Sequence, residues 1–197
     1  RFGPAAPALF DQVKKVPIVA CGTSFHAGMV ARYWLAEIAG VSCVVEVASE
    51  FRYRKRVQHA GTLLVVISQS GETADTLAAL RNASADEFIG SLVVSNVDNS
   101  SLVRECDLVF LTRAGIEIGV ASTKAFTTQL VALLMLTLAL GRRRELPDNR
   151  QQDIITALQD LPQCVRQTLE LNDAIRLLSE AFIPKRHALF LGRGIQY

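Results

Sequence analysis

Residues 62–76 read TLLVVISQSGETADT, an apolar run that ends in a series of small hydroxyl residues. The run 62–67 has the length and the β-branched content of a strand buried on both faces of a sheet. Residues 72–83, which follow it, have the apolar spacing of a helix. We therefore predict a strand, a tight turn through Gly71 and a helix, which is the repeating unit of a parallel α/β sheet.

The same alternation of apolar runs and helical segments continues on both sides of this unit. Residues 148–182 also have helical spacing, with Pro162 and Pro184 as expected breaks. The pattern predicts an α/β fold, a three-layer α/β/α arrangement with a five-stranded parallel sheet, followed by linking helices. The predicted strands are 17–21, 43–47, 62–67, 89–95 and 107–112, and the other long helices are 26–39 and 122–140.

Composition limits the class of protein. The chain has 197 residues, half of them hydrophobic, and a net charge of +2, so we predict no nucleic-acid partner. The four cysteines form no CxxC pair, which indicates a reducing compartment and no metal site. The most hydrophobic segment, 130–140, is too short to span a bilayer, and the start of the chain lacks signal-peptide features. We expect a cytoplasmic protein without a membrane partner.

Hydroxyl residues gather where three loops leave the predicted sheet. The loops are 22–24, 68–73 and 119–123, and ligands of open α/β sheets bind at this edge. Helix N-termini, hydroxyl groups and the bare backbone of Gly71 together suit a small dianion such as a phosphate monoester. The alternative is ordinary helix capping by Ser70. Because a carboxylate would repel a phosphate, we expect Glu72 to point away, toward solvent or the helix dipole.

The motifs that are missing narrow the ligand. No GxxxxGK[ST] is present, which disfavours a nucleoside triphosphate, and no GxGxxG follows a strand, which disfavours a dinucleotide. A monophosphorylated sugar fits the pattern best, and no cofactor is predicted.

These segments resemble the SIS (sugar isomerase) domain family, and within it the isomerase half of glutamine–fructose-6-phosphate aminotransferases. The resemblance implies a flavodoxin-like sheet and covers nearly the whole chain. It rests on CGTSFHAG (21–28), EVASEFRYR (46–54), SQSGETADT (68–76), SSLVRECD (100–107) and EIGVASTKAFTTQL (117–130).

The resemblance also implies a set of ligand contacts. A hexose 6-phosphate would be the bound partner. Its phosphate would be held by Ser68, Gln69, Ser70 and Thr73, and its sugar by Cys21, Gly22, Thr23, Ser24, Val120 and Ser122.

The implied reaction converts fructose 6-phosphate and glutamine to glucosamine 6-phosphate and glutamate, with ammonia from an upstream glutaminase domain. The resemblance places the catalytic groups beyond Tyr197, so we expect this chain to bind hexose 6-phosphate without turnover. The local candidates are Glu117, whose alternative role is a hydrogen bond to nearby backbone, and Lys124, whose alternative is solvation. For His26 we favour capping or core packing.

The resemblance further implies a division of the chain. Residues 17–24 (PIVACGTS) and 187–194 (HALFLGRG) both run from an apolar strand into a glycine turn. The predicted parts are 1–16, a linker from a missing upstream domain; 17–146, a first SIS domain; 147–184, connecting helices; and 185–197, the start of a second, truncated SIS domain.

The resemblance leaves other functions open and implies an assembly. The alternatives are a sugar-phosphate isomerase, a deglycase, or a transcriptional regulator that senses a sugar phosphate; EIGVASTKAFTTQ argues against all three. The family pairs its SIS domains, so we expect a homodimer. Phe51 and Tyr53, which lie beside three arginines, are the expected interface anchors, the alternative being a solvated charged turn.

Overall fold

The sheet forms from the predicted apolar runs. The computed structural model of the chain describes residues 2–57, 59–83, 85–119 and 122–196. Every strand pair is parallel, and the spatial order is second, first, third, fourth, fifth. The predicted α/β fold with a five-stranded parallel sheet is confirmed. The strands are β1 Lys15–Ala20, β2 Ser42–Val47, β3 Leu63–Ser68, β4 Gly90–Ser95 and β5 Leu108–Leu111.

Helices connect the strands, and single 3-10 turns occupy Ala85–Glu87 and Gly194–Gln196. The predicted long helices all form, with ends displaced by one to four residues. The sequence pattern does not predict α1, α3 or α5, because four or five residues are too few to show a helical period. The helices are α1 Ala6–Phe10, α2 Gly22–Glu37, α3 Ala48–Phe51, α4 Ala74–Arg81, α5 Ser101–Glu105, α6 Lys124–Gly141, α7 Asp148–Leu169 and α8 Asn172–Glu180.

Each face of the sheet has its own apolar core, because successive strand residues point to opposite faces. One core joins the sheet to α2 and α6, and the other joins it to α3, α4 and α5. Burial of each large aliphatic side chain stabilises the domain by about 1.5–3 kcal/mol. The strand residues of the first core include Ile18, Val65, Ile67 and Val94, and those of the second are Val19, Leu64, Val66 and Val93.

One helix of the described residues, α6, is long and apolar enough to cross a membrane. Half of its residues are buried inside the domain, and it packs against α2. It therefore has the burial of a core helix of a globular domain, in agreement with the sequence prediction for 130–140.

The first described residues pack into the domain core, although they lie within the stretch 1–16 that was predicted to be a linker from an upstream domain. Phe10 is 2% exposed and Val13 is fully buried. The Phe2 ring lies 5.3 Å from that of Phe10 and 5.0 Å from that of Phe110 on β5. Asp11 forms an ion pair of 2.7 Å with Arg143, which follows α6. Residues 2–146 accordingly belong to one compact unit.

Residues 147–197 form a second unit, built from α7 and α8. α7 continues through Pro162, so the predicted break at this residue is wrong; the interruption falls at residues 170–171 instead. None of the helical residues of this unit is buried. Among its described residues, 187–193 form no strand pairing, and Leu189, Phe190 and Leu191 are exposed.

Candidate functional site

Two hydroxyl-rich segments leave the sheet side by side. β2 lies on one side of β1 and β3 on the other, so the order of the strands reverses between β1 and β3. Ala20 pairs with Ile67, which places the ends of the two strands at the same level. Ligands of open α/β sheets bind at such a switch point. The candidate site therefore consists of the β1–α2 turn (residues 21–24) and the β3–α4 loop (residues 68–73).

Hydroxyl groups fold the β3–α4 loop on itself. Ser68 Oγ accepts the N–H of Gly71 at 3.0 Å and lies 2.8 Å from Thr73 Oγ1. Ser70 Oγ accepts the N–H of Glu72 at 3.2 Å. Ser68 is 2% exposed, whereas Ser70 and Thr73 are half-buried. Because Ser70 Oγ serves as an acceptor here, its hydroxyl proton remains available for donation to a ligand.

The capping role considered for Ser70 does not occur. Thr73 is the N-cap residue of α4, and no side chain of the described residues caps this helix. The first N–H groups of a helix have no partner within the helix, and they carry partial positive charge. The N-terminus of α4 is therefore open toward the loop that precedes it.

Gly71 is required by the backbone and by its surroundings. Its φ is +69°, a left-handed conformation that side chains other than hydrogen disfavour. A Cβ atom at this position would lie 2.0 Å from Ser100 Oγ and 2.5 Å from Ser100 Cβ. The loop can thus approach the segment before α5 only because residue 71 is glycine.

Glu72 is turned toward α5. Its carboxylate accepts the N–H of Ser101, the first residue of α5, at 2.7 Å. This hydrogen bond holds the pKa of the Glu72 carboxyl below its ordinary value. As expected, the charge is directed at a helix dipole, although the helix is α5 and not α4.

The β1–α2 turn is compact. Cys21 follows β1 in an extended conformation and is the N-cap residue of α2, and Gly22 comes next with φ +56°. Gly22 and Thr23 are exposed, Cys21 is half-buried and Ser24 is 7% exposed. The turn therefore presents small polar surface at the switch point.

The third loop contributes a buried hydroxyl. Ser122 Oγ is buried and has no hydrogen-bond partner among the described residues. Val120, the other predicted sugar contact of this loop, lies outside the described residues.

The local candidates for catalysis have other positions. Glu117 Oε2 accepts the N–H of Ala125 at 2.9 Å, so it caps α6, as the alternative role for this residue required. Lys124, the first residue of α6, is exposed. His26 is also exposed, with its ring edge-on to Phe25 at 5.6 Å, so the prediction of a core or capping role is wrong.

In the segment EVASEFRYR, only part of the surface predicted to form an interface is exposed. Phe51 is 1% exposed and belongs to the core under α3, so it is wrong as an anchor on the surface. Tyr53 is 77% exposed. The arginines of the segment are held in ion pairs within the domain: Arg52 with Asp75, Arg54 with Glu46, and the following Arg56 with Glu87.

Comparison with protein families gives one decisive match. The model of the SIS domain matches residues 9–139, more than half of the chain. The chain belongs to the SIS domain family. The family resemblance inferred from the motifs is thus confirmed, and the switch-point loops described above lie inside the matched region of this SIS domain.

Individual relatives match the whole chain. The SIS domain chain is 59% identical to the glutamine–fructose-6-phosphate aminotransferase of Idiomarina loihiensis and 60% identical to that of Pseudomonas putida. It spans 32% of the length of each. A solved C-terminal domain of glucosamine-fructose-6-phosphate aminotransferase from Francisella tularensis is 50% identical, with a TM-score of 0.97, and the match covers 100% of this chain and 55% of that one.

Sequence reasoning missed the polar residues that support the β3–α4 loop of this SIS domain. Asn96 donates its backbone N–H to Gln69 O at 3.1 Å, and its Oδ1 accepts from Thr112 Oγ1 at 3.1 Å and from Ala114 N at 2.7 Å. The largely polar run 96–101, which follows β4, was the available signal, because it leaves the same edge of the sheet as the predicted loops.

A separate cavity of about 260 Å³ lies beneath the segment after α3. Lys15, Val44, Arg54 and His59 are among its lining residues, and none of the predicted ligand contacts lines it. Within the described residues no group of His, Cys, Asp or Glu side chains could hold a metal ion. The hydroxyl-rich switch point thus remains the candidate site.

Proposed function

We propose that this SIS domain binds a hexose 6-phosphate at its switch point, as the isomerase part of an enzyme that converts fructose 6-phosphate and glutamine to glucosamine 6-phosphate and glutamate. The β3–α4 loop supports the proposal most directly, since it joins surface hydroxyls to an open helix N-terminus. The names of relatives that are 59% and 60% identical support the reaction.

The phosphate would lie against Ser68, Gln69, Ser70 and Thr73. Ser70 and Thr73 offer hydroxyl groups at the surface, and the first turn of α4 adds N–H donors with partial positive charge. Ser68, which is nearly buried, contributes by shaping the loop. Hydrogen bonds to a charged phosphate are about twice as strong as neutral ones, so few donors are needed.

The sugar would lie between the β1–α2 turn and the third loop. Its proposed contacts are Cys21, Gly22, Thr23 and Ser24 on one side and Val120 and Ser122 on the other. Burying a hydroxyl without a partner costs about 1–3 kcal/mol, so a ligand hydroxyl bonded to Ser122 Oγ would remove that penalty.

Binding alone does not move a proton between C1 and C2 of the sugar. That step needs a base about 3 Å from the proton that it removes. Glu117 is engaged with the N-terminus of α6, and the family resemblance places the catalytic groups beyond Tyr197. We therefore propose that the 197-residue chain binds fructose 6-phosphate without converting it to glucose 6-phosphate. Conversion that disappears in Glu117→Gln would contradict this and make Glu117 the base.

Calorimetric titration with glucose 6-phosphate tests the phosphate site. In the double variant Ser70→Ala/Thr73→Ala, each lost hydroxyl should weaken binding by about 1–3 kcal/mol. The matched control removes two hydroxyls of the second unit that bond only to their own helices, Thr168→Ala and Ser179→Ala. If the double variant binds as tightly as the unaltered chain, the phosphate site lies elsewhere.

The larger assembly is also a proposal. We place the chain in a cytoplasmic homodimer, with a glutaminase domain upstream and a second SIS domain that starts near residue 185. The 55% coverage of the solved aminotransferase domain supports a further domain, as does the exposure of Leu189, Phe190 and Leu191, which would be buried in a strand. Exposed Tyr53 supports a dimer contact at the 46–54 segment.

A further inference from the structure

Glu72 presents a physical conflict. It lies inside the loop proposed to hold a phosphate, where its charge opposes the binding of an anion. A loop selected only for its positive potential would carry a neutral residue at this position. The contacts of Glu72 therefore have to account for the carboxylate.

Two hydrogen bonds join the β3–α4 loop to α5. Ser101 N donates to Glu72 Oε1 at 2.7 Å, and Leu102 N donates to Gly71 O at 3.1 Å. Two consecutive loop residues are thus held by two consecutive N–H groups of α5. The backbone N–H of Glu72 also donates to Ser70 Oγ, so residue 72 is fixed through both its main chain and its side chain.

α5 is itself firmly placed, which lets it serve as a support. Leu102 is fully buried in the core beneath α4 and α5. Glu105 receives two hydrogen bonds from Arg81 at the end of α4, at 2.6 Å and 2.9 Å. The loop and α4 are therefore both bonded to α5, and the Glu72 carboxylate makes one of these bonds.

The surroundings of Glu72 reduce its repulsion of an anion. Its charge is bonded to the free N–H of a helix start, and Arg104 lies near enough to stabilise the ionised carboxylate. Both contacts also hold the pKa of the Glu72 carboxyl below its ordinary value, with Glu105 acting in the opposite direction. A carboxylate kept ionised and bonded in this way is a poor candidate for a general base.

We propose that Glu72 is a positioning residue for phosphate binding, since its bond to Ser101 fixes the backbone that carries Ser70 and Thr73. The inference rests on the proposed function. The inference predicts a change in affinity opposite to the one expected from charge alone: removal of the negative charge of Glu72 should weaken the binding of the anion.

Two variants of Glu72 and one control separate position from charge. Glu72→Ala removes both the charge and the acceptor, whereas Glu72→Gln removes the charge and keeps an amide oxygen that can accept from Ser101 N. Asp98→Asn neutralises an exposed carboxylate between β4 and α5 that has no hydrogen bond to the loop among the described residues. Each protein is titrated with glucose 6-phosphate, and amide hydrogen exchange of residues 69–73 and 100–102 is measured without ligand.

Glu72→Ala should bind glucose 6-phosphate about tenfold more weakly or worse, with faster exchange, because a hydrogen bond to a charged group is lost. Glu72→Gln should retain part of both properties, and Asp98→Asn should retain them fully. Binding by Glu72→Ala as tight as that of the unaltered chain, or unchanged exchange in this variant, would overturn the inference. If the unaltered chain itself binds no glucose 6-phosphate, the proposed function fails, and exchange alone decides whether Glu72 positions the loop.

Discussion

Single residues of the β3–α4 loop are constrained more by packing than by chemistry. Gly71 combines a left-handed φ of +69° with an approach to Ser100 that leaves no room for a Cβ atom. Ser68 uses its hydroxyl to hold Gly71 N. The hydroxyls of Ser70 and Thr73, which are the proposed phosphate contacts, thus depend on neighbours that need not touch a ligand.

Gly71→Ala should destabilise the domain by about 2 kcal/mol or more, because strain at φ and the clash with Ser100 act together. Gly40→Ala is the matched control, since Gly40 has φ +60° with no atom within 4 Å of the added Cβ. It should show the conformational penalty alone, about 1 kcal/mol. Urea denaturation compares the two, and equal losses of stability would exclude the predicted clash.

Two half-buried thiols should make the stability of the domain depend on pH in the alkaline range. Burial raises the pKa values of Cys43 and Cys106 to about 12, above their value of about 8.5 in an unfolded chain. Because the folded state favours the protonated thiol, this contribution is complete below about pH 8.5 and is lost as the pH rises toward 12. The urea midpoint of a Cys43→Ala/Cys106→Ala variant should fall less steeply above pH 8.5 than that of the unaltered chain. Parallel curves would contradict the assignment.

Elements differ in how well their sequence predicts them. The strands were predictable to within two residues at each end, because each is centred on a run of apolar residues. The inner strands β1, β3 and β4 are buried along almost their whole length, whereas the edge strands β2 and β5 are only partly buried. α5 was not predictable, since its five residues are stabilised by Leu102 in the core and by contacts with the loop. Phe51 was misplaced because an aromatic beside arginines is typical both of an interface and of a core edge.

The sequence showed that the charge of Glu72 opposes phosphate binding, but it did not show the partner of Glu72 on α5, which lies 29 residues away.

Glu117 should stabilise the domain by capping the start of α6. Loss of its bond to Ala125 N leaves a helix start without this cap, so Glu117→Ala should lower the free energy of unfolding by about 1 kcal/mol. Glu117→Gln should lose less, because the amide oxygen can still accept. Thr127→Ala, on the exposed side of the same helix, should change little. Unaltered stability in Glu117→Ala would argue against the cap.

The whole molecule is uneven in its burial. Residues 2–146 enclose two apolar cores, whereas no helical residue of the second unit is buried. A unit of that size without a buried core is not stable by itself. The apolar side chains exposed on α8 and after it, such as Ile175, Leu178 and Phe182, therefore indicate that this unit needs further contacts.

Dimer formation is the prediction that belongs to this scale. Tyr53→Ser should raise the dissociation constant of the proposed dimer about tenfold or more, since an exposed tyrosine is a frequent anchor of interfaces. The fold should be unaffected, because the ring is 77% exposed. Sedimentation velocity over a concentration series provides the measurement, with Lys55→Ser as an exposed neighbour without an aromatic ring. A chain that stays monomeric at high concentration would rule this interface out.

The ion pair between Asp11 and Arg143 joins residues 132 positions apart, so the first unit begins and ends at nearly the same place. A polypeptide arranged in this way can be regarded as a ring that happens to be cut there. The same arrangement of strands and helices could then form from a chain whose termini lie elsewhere. A circular permutant that links residue 146 to residue 2 and has its new ends in the exposed segment 54–55 should form the same sheet. In the permutant, residues 11 and 143 would be close in the chain, so they would no longer have to meet across 132 residues during folding. The permutant should therefore fold by a different sequence of events.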